Sequence, residues 1–101
     1  MENVTDGENT VLMVSVFPVD PDDQQRLAEI LIEATETVIS EQRGYVSTEV
    51  CKSLDGTSVL NYARWRSREG FERMLLDPDV QAYLREAEML ATADPQLYEM
   101  A

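Results

Sequence analysis

The sequence predicts one α+β domain, a four-stranded antiparallel sheet with helices packed on one of its faces. Three observations carry that expectation. A chain of 101 residues has room for one core and no second. Runs rich in β-branched residues, near residues 10–17, 45–53 and 57–66, are interleaved with segments of helical spacing. Two Asp-Pro pairs, Asp20-Pro21 and Asp77-Pro78, stand where helices would begin.

Residues 1–9 are polar and acidic and include Gly7, so they read as a flexible acidic tail ahead of a folded domain at residues 10–101. The Val- and Leu-rich residues 10–17 are expected to form a first strand buried on both faces, ended by Pro18. Asp20 then caps a helix, Pro21 takes its first position, and Asp22 and Asp23 meet the positive end of its dipole. Leu27, Ile30, Leu31, Ala34 and Val38 share one face of that helix, flanked by Ala28, Ile32 and Ile39. Such a wide stripe requires contact with a sheet and with a neighbour beside it. Gly44 closes the helical region.

Residues 45–53 alternate as a second strand, Asp55-Gly56 signals a hairpin, and residues 57–66 return as a third strand. Ser67 caps a short helix carrying Phe71, Met74 and Leu75. Asp77-Pro78 starts another, with Val80, Tyr83, Leu84, Ala87 and Leu90 on its apolar side. Asp94-Pro95 breaks it, and residues 96–100 form a short last strand. The order β-α-β-β-α-α-β is the ferredoxin-like split pattern with its second helix broken. Helices on one face leave the other bare, with Leu60, Tyr62 and part of the first strand on it. A bare apolar face asks for a partner, and a second copy of the chain is the simplest one.

Charge narrows the function. A net charge of −12, with 8 Lys and Arg against 20 acidic residues, argues against nucleic acid and anionic membrane surfaces. The longest apolar run, residues 11–17, is interrupted by Ser15 and is too short to span a bilayer. No basic leader segment stands at the start, so a cytoplasmic location is expected. Cys51 is the one cysteine, which excludes an intrachain disulfide and a zinc knuckle. His is absent, which removes the commonest general base, the usual haem ligand and most metal sites.

Asn61 and Trp65 lie four apart on the third strand and so share a face, with the small Ala63 between them. An amide and an indole around a small residue make a floor for a planar aromatic ligand. Asn61 would bond a ligand oxygen, while Trp65 would stack and donate its N–H. The competing reading makes Trp65 the largest core residue and has Asn61 bonded to a loop backbone. Glu29, Glu33, Glu36 and Glu41, with Glu86 and Glu88, read as solvated helix faces, and Met74 and Met89 as core or cavity lining.

Five segments, Arg43-Gly44-Tyr45-Val46-Ser47, Ser53-Leu54-Asp55-Gly56, Asn61-Tyr62-Ala63-Arg64-Trp65, Asp77-Pro78-Asp79-Val80-Gln81-Ala82-Tyr83-Leu84 and Ala93-Asp94-Pro95-Gln96-Leu97-Tyr98-Glu99, occur in an order and spacing that resembles the antibiotic biosynthesis monooxygenase family. The likeness spans residues 10–100. It implies a dimeric α/β-barrel with a cavity between helices and sheet in each subunit. Several members oxidise aromatic polyketides to quinones with O₂, using no metal or flavin; others degrade haem or signalling molecules. The lack of His counts against the haem-degrading branch.

By the same resemblance Asn61 and Trp65 are implicated in catalysis, and Arg85 would face the cavity and stabilise an enolate or phenolate, unless it is solvated on the acidic surface. The cavity wall for substrate is expected from Tyr45, Cys51, Ala63, Phe71, Met74 and Tyr83, with Cys51 an unreactive thiol where relatives carry His. The function so implied is a homodimeric, cofactor-independent monooxygenase. It would oxidise a small phenol- or anthrone-like substrate to a quinone with O₂. The alternatives are a non-catalytic ligand-binding or stress-response module, and an enzyme that isomerises or cyclises a similar substrate.

Overall fold

The computed structural model describes residues 10–101, so the expected acidic tail lies outside the described residues. Strand β1 (Val11–Pro18) leads through a 3₁₀ turn (Pro21–Asp23) into helix α1 (Gln24–Thr37). Strands β2 (Tyr45–Lys52) and β3 (Ser58–Trp65) form a hairpin, followed by helices α2 (Arg68–Met74) and α3 (Pro78–Glu88) and a last strand β4 (Gln96–Glu99). The sheet order is β2-β3-β1-β4 and every pairing is antiparallel. This is the expected α+β, ferredoxin-like arrangement. No helix among the described residues is long and apolar enough to cross a membrane.

Local chemistry accounts for the element boundaries. The Asp20 carboxylate accepts from Asp22 N at 2.9 Å, with Pro21 as the first residue of the turn that opens α1. Asp77 does the same for α3, accepting from Asp79 N at 2.8 Å and Val80 N at 3.3 Å. Ser67 Oγ accepts from Gly70 N to start α2. At the hairpin tip Gly56 adopts φ 83°, the left-handed conformation that favours glycine. Helix α1 stops at Thr37, short of Gly44, because a separate 3₁₀ turn (Ile39–Glu41) carries the chain onward.

Two carboxylates carry a pH signature. The Asp77 carboxyl is held below its ordinary range, chiefly by the Gln42 amide and then by the α3 N–H groups. Asp55 is lowered chiefly by the Thr57 hydroxyl and then by Ser53. A carboxyl lowered in the folded state stabilises above the ordinary carboxylate value and loses that contribution as pH falls through its folded value. The thermal midpoint should therefore stay level above about pH 5 and drop below it, with a shallower drop in Asp77→Asn and Asp55→Asn. Calorimetric scans from neutral to acid pH check this.

The sheet has two distinct faces. Met13, Ser15 and Phe17 of β1 and Val59, Ala63 and Trp65 of β3 are buried beneath the helices. Leu27, Ala28, Ile30, Leu31 and Ala34 of α1 close over them, while Ile32 stays 40% exposed. Apolar residues gather in two groups. One is centred on Phe17, Leu27, Ile30 and Val59, the other on Met13, Trp65, Phe71 and Val80. The reverse face carries Leu12, Val14, Leu60 and Tyr62 in neighbouring register positions, with Val16 52% and Tyr98 53% exposed. Strand β1 is thus buried on one face only. Its outward residues belong to an apolar patch on the reverse face, bordered by Arg64, Glu49 and Gln96, and no helix covers them.

Candidate active site

Between the two apolar groups lies a cavity of 150 Å³. Its floor is sheet: Met13 and Ser15 from β1, Thr48 from β2, and Asn61, Ala63 and Trp65 from β3. Its roof is Ile30, Leu31 and Ala34 of α1 with Tyr83, Leu84 and Ala87 of α3. Phe71 and Met74 of α2 close one end. Glu88 and Pro95, both exposed, stand at the other. A hollow of about 150 Å³ takes a benzene-sized guest, so a fused-ring ligand would run on towards Glu88 and Pro95.

The floor is shaped by register. Alternation along β3 turns Asn61, Ala63 and Trp65 to the helices and Leu60, Tyr62 and Arg64 away. Ala63 sits between Met13 and Thr48 across the strands, and its small side chain leaves the gap. Trp65 is wholly buried, held edge-on by Tyr45 (ring centroids 5.7 Å apart) and Phe71 (6.2 Å). Close approach of α2 needs Gly70, since a Cβ there would meet the Arg43 carbonyl at 3.1 Å.

Polar atoms in this space are the informative ones. Asn61 Oδ1, Trp65 Nε1 and Thr48 Oγ1 are buried and have no hydrogen-bond partner. Buried polar atoms are normally paired, and each one left alone costs about 1–3 kcal/mol. All three belong to residues that line this cavity, Thr48 also bordering a second, more open hollow with Ile32, Thr35, Glu36 and Val50. Asn61 Oδ1 can only accept and Trp65 Nε1 can only donate, so together they ask for a ligand that offers both an O–H and an acceptor oxygen. Ser15, also on the floor, donates to Met13 Sδ at 3.2 Å, a weak acceptor. Tyr83 is pinned between helices, its hydroxyl donating to Glu33 at 3.0 Å and accepting from Thr37 at 3.2 Å.

Of the residues the sequence singled out, the structure brings Asn61, Trp65, Ala63, Phe71, Met74 and Tyr83 to the cavity. Three stand elsewhere. Tyr45 lies behind Trp65 and supports its ring. Arg85 is exposed, one residue past Leu84 and so turned about 100° away from the cavity side of α3. Cys51 is exposed and pairs with Leu60 on the reverse face of the sheet. The cause is a bulge between Tyr45 and Ser47, which shifts the alternation of β2 by one. Thr48 and Val50 therefore face the helices, and Cys51 does not.

Sequence reasoning missed Thr48, Ser15 and Glu88. Ser15 had a signal, a hydroxyl interrupting an apolar strand; Thr48 had none ahead of the bulge. Glu88, read as solvated, is exposed and still borders the cavity, the only carboxylate to do so among the described residues. Among the described residues no Lys or Arg lines the cavity. Among the described residues no group of three or more His, Cys, Asp or Glu could hold a metal ion.

Comparison with known proteins agrees with this layout. The chain is 36% identical over 83 residues to the tetracenomycin-F1 monooxygenase of Streptomyces glaucescens, spanning 82% of this chain and 74% of that protein. Its fold matches SnoaB, a cofactor-independent oxygenase from Streptomyces nogalater, with a TM-score of 0.81 at 21% identity over 92% of this chain and 94% of SnoaB. A conserved protein from Methanosarcina mazei superposes with a TM-score of 0.86 at 10% identity, over 97% of this chain and 99% of that one. Residues 8–86 match the family model for antibiotic biosynthesis monooxygenase. The chain belongs to the antibiotic biosynthesis monooxygenase family.

Proposed function

We propose that this protein is a cofactor-independent monooxygenase that oxidises a small phenol- or anthrone-like aromatic to a quinone with O₂. The observation that carries the reading is the pair of unpartnered buried atoms, Asn61 Oδ1 and Trp65 Nε1, in an otherwise mostly apolar cavity. The family relationship and the S. glaucescens relative support the reaction type.

The chemistry rests on the substrate. An electron-rich anthrone ionises to an enolate, its proton leaving to water at the mouth beside Glu88. The Trp65 N–H and, with its side-chain amide turned over in the complex, the Asn61 N–H stabilise the enolate oxygen as neutral donors, which are stronger in a site that excludes water. The enolate carbon passes its electrons to O₂ and forms a C–O bond. Protonation gives a hydroperoxide. Loss of the remaining C–H proton with hydroxide, as water, breaks the O–O bond and leaves C=O. The methylene carbon loses four electrons and O₂ gains four.

Anaerobically prepared anthrone, mixed with protein in air, should yield anthraquinone at a rate proportional to protein above the spontaneous background. A rate equal to that background would refute the proposal. A second reading, a binding module without turnover, is favoured by a cavity wall that carries no Lys or Arg among the described residues. Tight binding of anthrone without oxygen uptake would single it out.

A homodimer is the working unit in this proposal, with the reverse face of the sheet as the contact. The support is the apolar set Leu12, Val14, Val16, Leu60 and Tyr62 on that face. Leu60→Arg should then sediment as a monomer where the parent sediments as a dimer. A monomeric parent would remove this part of the proposal.

A further inference from the structure

Thr48 is a half-buried residue whose hydroxyl the proposed reaction leaves unused. Its Oγ1 is buried without a partner, although the residue lies beside Ala63 at the centre of the cavity floor. Along β3, Asn61 and Trp65 stand about 7 Å to either side of Ala63, while Thr48 stands about 5 Å across on β2. The three orphaned atoms thus belong to residues that bracket Ala63 on three sides. A substrate oxygen held over Ala63 by Asn61 and Trp65 would have Thr48 to one side of it, on the neighbouring strand.

Burying a hydroxyl with nothing to bond it is unfavourable for the free protein, and a valine of the same shape would avoid the penalty. Val50 shows that an apolar β-branched residue is accommodated at the next inward position of the same strand. The hydroxyl makes sense when a ligand satisfies it. Resting on the functional reading above, we infer that Thr48 is a specificity-determining residue. It hydrogen-bonds a ring hydroxyl that flanks, and is distinct from, the oxygen met by Asn61 and Trp65. The substrate class it selects is a polyhydroxylated fused aromatic in preference to one bearing a single oxygen.

Two probes and two variants test this by equilibrium binding without O₂. Anthrone has its carbonyl alone; dithranol adds ring hydroxyls flanking that carbonyl. Thr48→Val keeps the shape and removes the hydroxyl, whereas Thr48→Ser keeps the hydroxyl. Dithranol should bind Thr48→Val about ten-fold more weakly than the parent, the worth of one hydrogen bond. Anthrone should change by less than about two-fold, and Thr48→Ser should restore most of the dithranol affinity. The thermal midpoint of free Thr48→Val should equal or exceed that of the parent, because an unsatisfied group has been removed.

Equal weakening of both probes would reduce Thr48 to a packing residue and overturn the inference, as would no change with either. A lowered midpoint in free Thr48→Val would also overturn it, since the hydroxyl would then have a partner inside the protein. Binding is read apart from turnover. Thr48-dependent dithranol binding without oxygen uptake would uphold this inference and refute the oxidation. Normal oxidation with no dependence on Thr48 would do the reverse. A parent that binds neither probe would refute both.

Discussion

Asn61→Ala is expected to lower kcat for anthrone oxidation by about 10²–10³-fold while leaving the fold intact. Asn61 offers the cavity an amide whose Oδ1 is buried with no internal partner, so truncation breaks no hydrogen bond made by that oxygen. What it removes is a fixed dipole next to the oxygen that gains charge. In an apolar enclosure such a group reorganises little during the reaction, which is why single donors of this kind have large kinetic effects. Asn61→Asp is a sharper variant. It has the same size, but a carboxylate beside an enolate opposes ionisation of the substrate, so its kcat should fall at least as far as that of Asn61→Ala. Steady-state oxygen uptake measures both, with circular dichroism showing the fold unchanged. Parental kcat in Asn61→Ala would remove the residue from the mechanism.

The largest effect on stability is expected at Trp65. Its side chain is completely buried, wedged edge-on between Tyr45 and Phe71, and it also supplies one wall of the cavity. Truncation to alanine would enlarge a space that is already partly empty, and Gly44 and Gly70, packed near its ring, have no side chains to move into the gap. Such a change costs about 3–5 kcal/mol, against a total stability of about 5–15 kcal/mol for a domain of ordinary stability. Trp65→Ala should therefore unfold at markedly lower urea concentration. Trp65→Phe separates the two roles of the residue. It keeps much of the ring packing and loses the N–H, so it should retain most of the stability and lose much of the activity. Urea titration followed by far-ultraviolet dichroism, set beside oxygen uptake, resolves the pair. Equal activity in Trp65→Phe and the parent would confine the indole to packing.

The parts of this fold that were legible in the sequence are those with a local cause. Asp20-Pro21 and Asp77-Pro78 mark helix starts because a carboxylate and a proline each suit one specific position there. Asp55-Gly56 marks the hairpin because Gly56 needs φ 83°. Asn61, Ala63 and Trp65 were placed together by the two-residue period of a regular strand, and β3 is regular.

The errors arose where a long-range feature reset the local period. Counting by twos from the inward Tyr45 reaches Cys51; the bulge after Tyr45 inserts one residue, and the inward positions become Thr48 and Val50. No residue type in that stretch announces a bulge. Arg85 was placed by resemblance next to the apolar line of α3, and one step of helical rotation puts it in solvent. That the cavity stays open is a matter of packing between α1, α3 and Ala63, which no local pattern encodes.

The proposed reaction inserts one atom of molecular oxygen into an aromatic substrate held over Ala63. The decisive experiment is oxidation of anthrone under isotopically labelled oxygen gas, followed by mass spectrometry of the quinone. One labelled oxygen per quinone is expected, in the newly formed carbonyl, with the second atom released as water and a rate proportional to protein. An unlabelled quinone, or labelled quinone formed no faster than without protein, would refute the reaction.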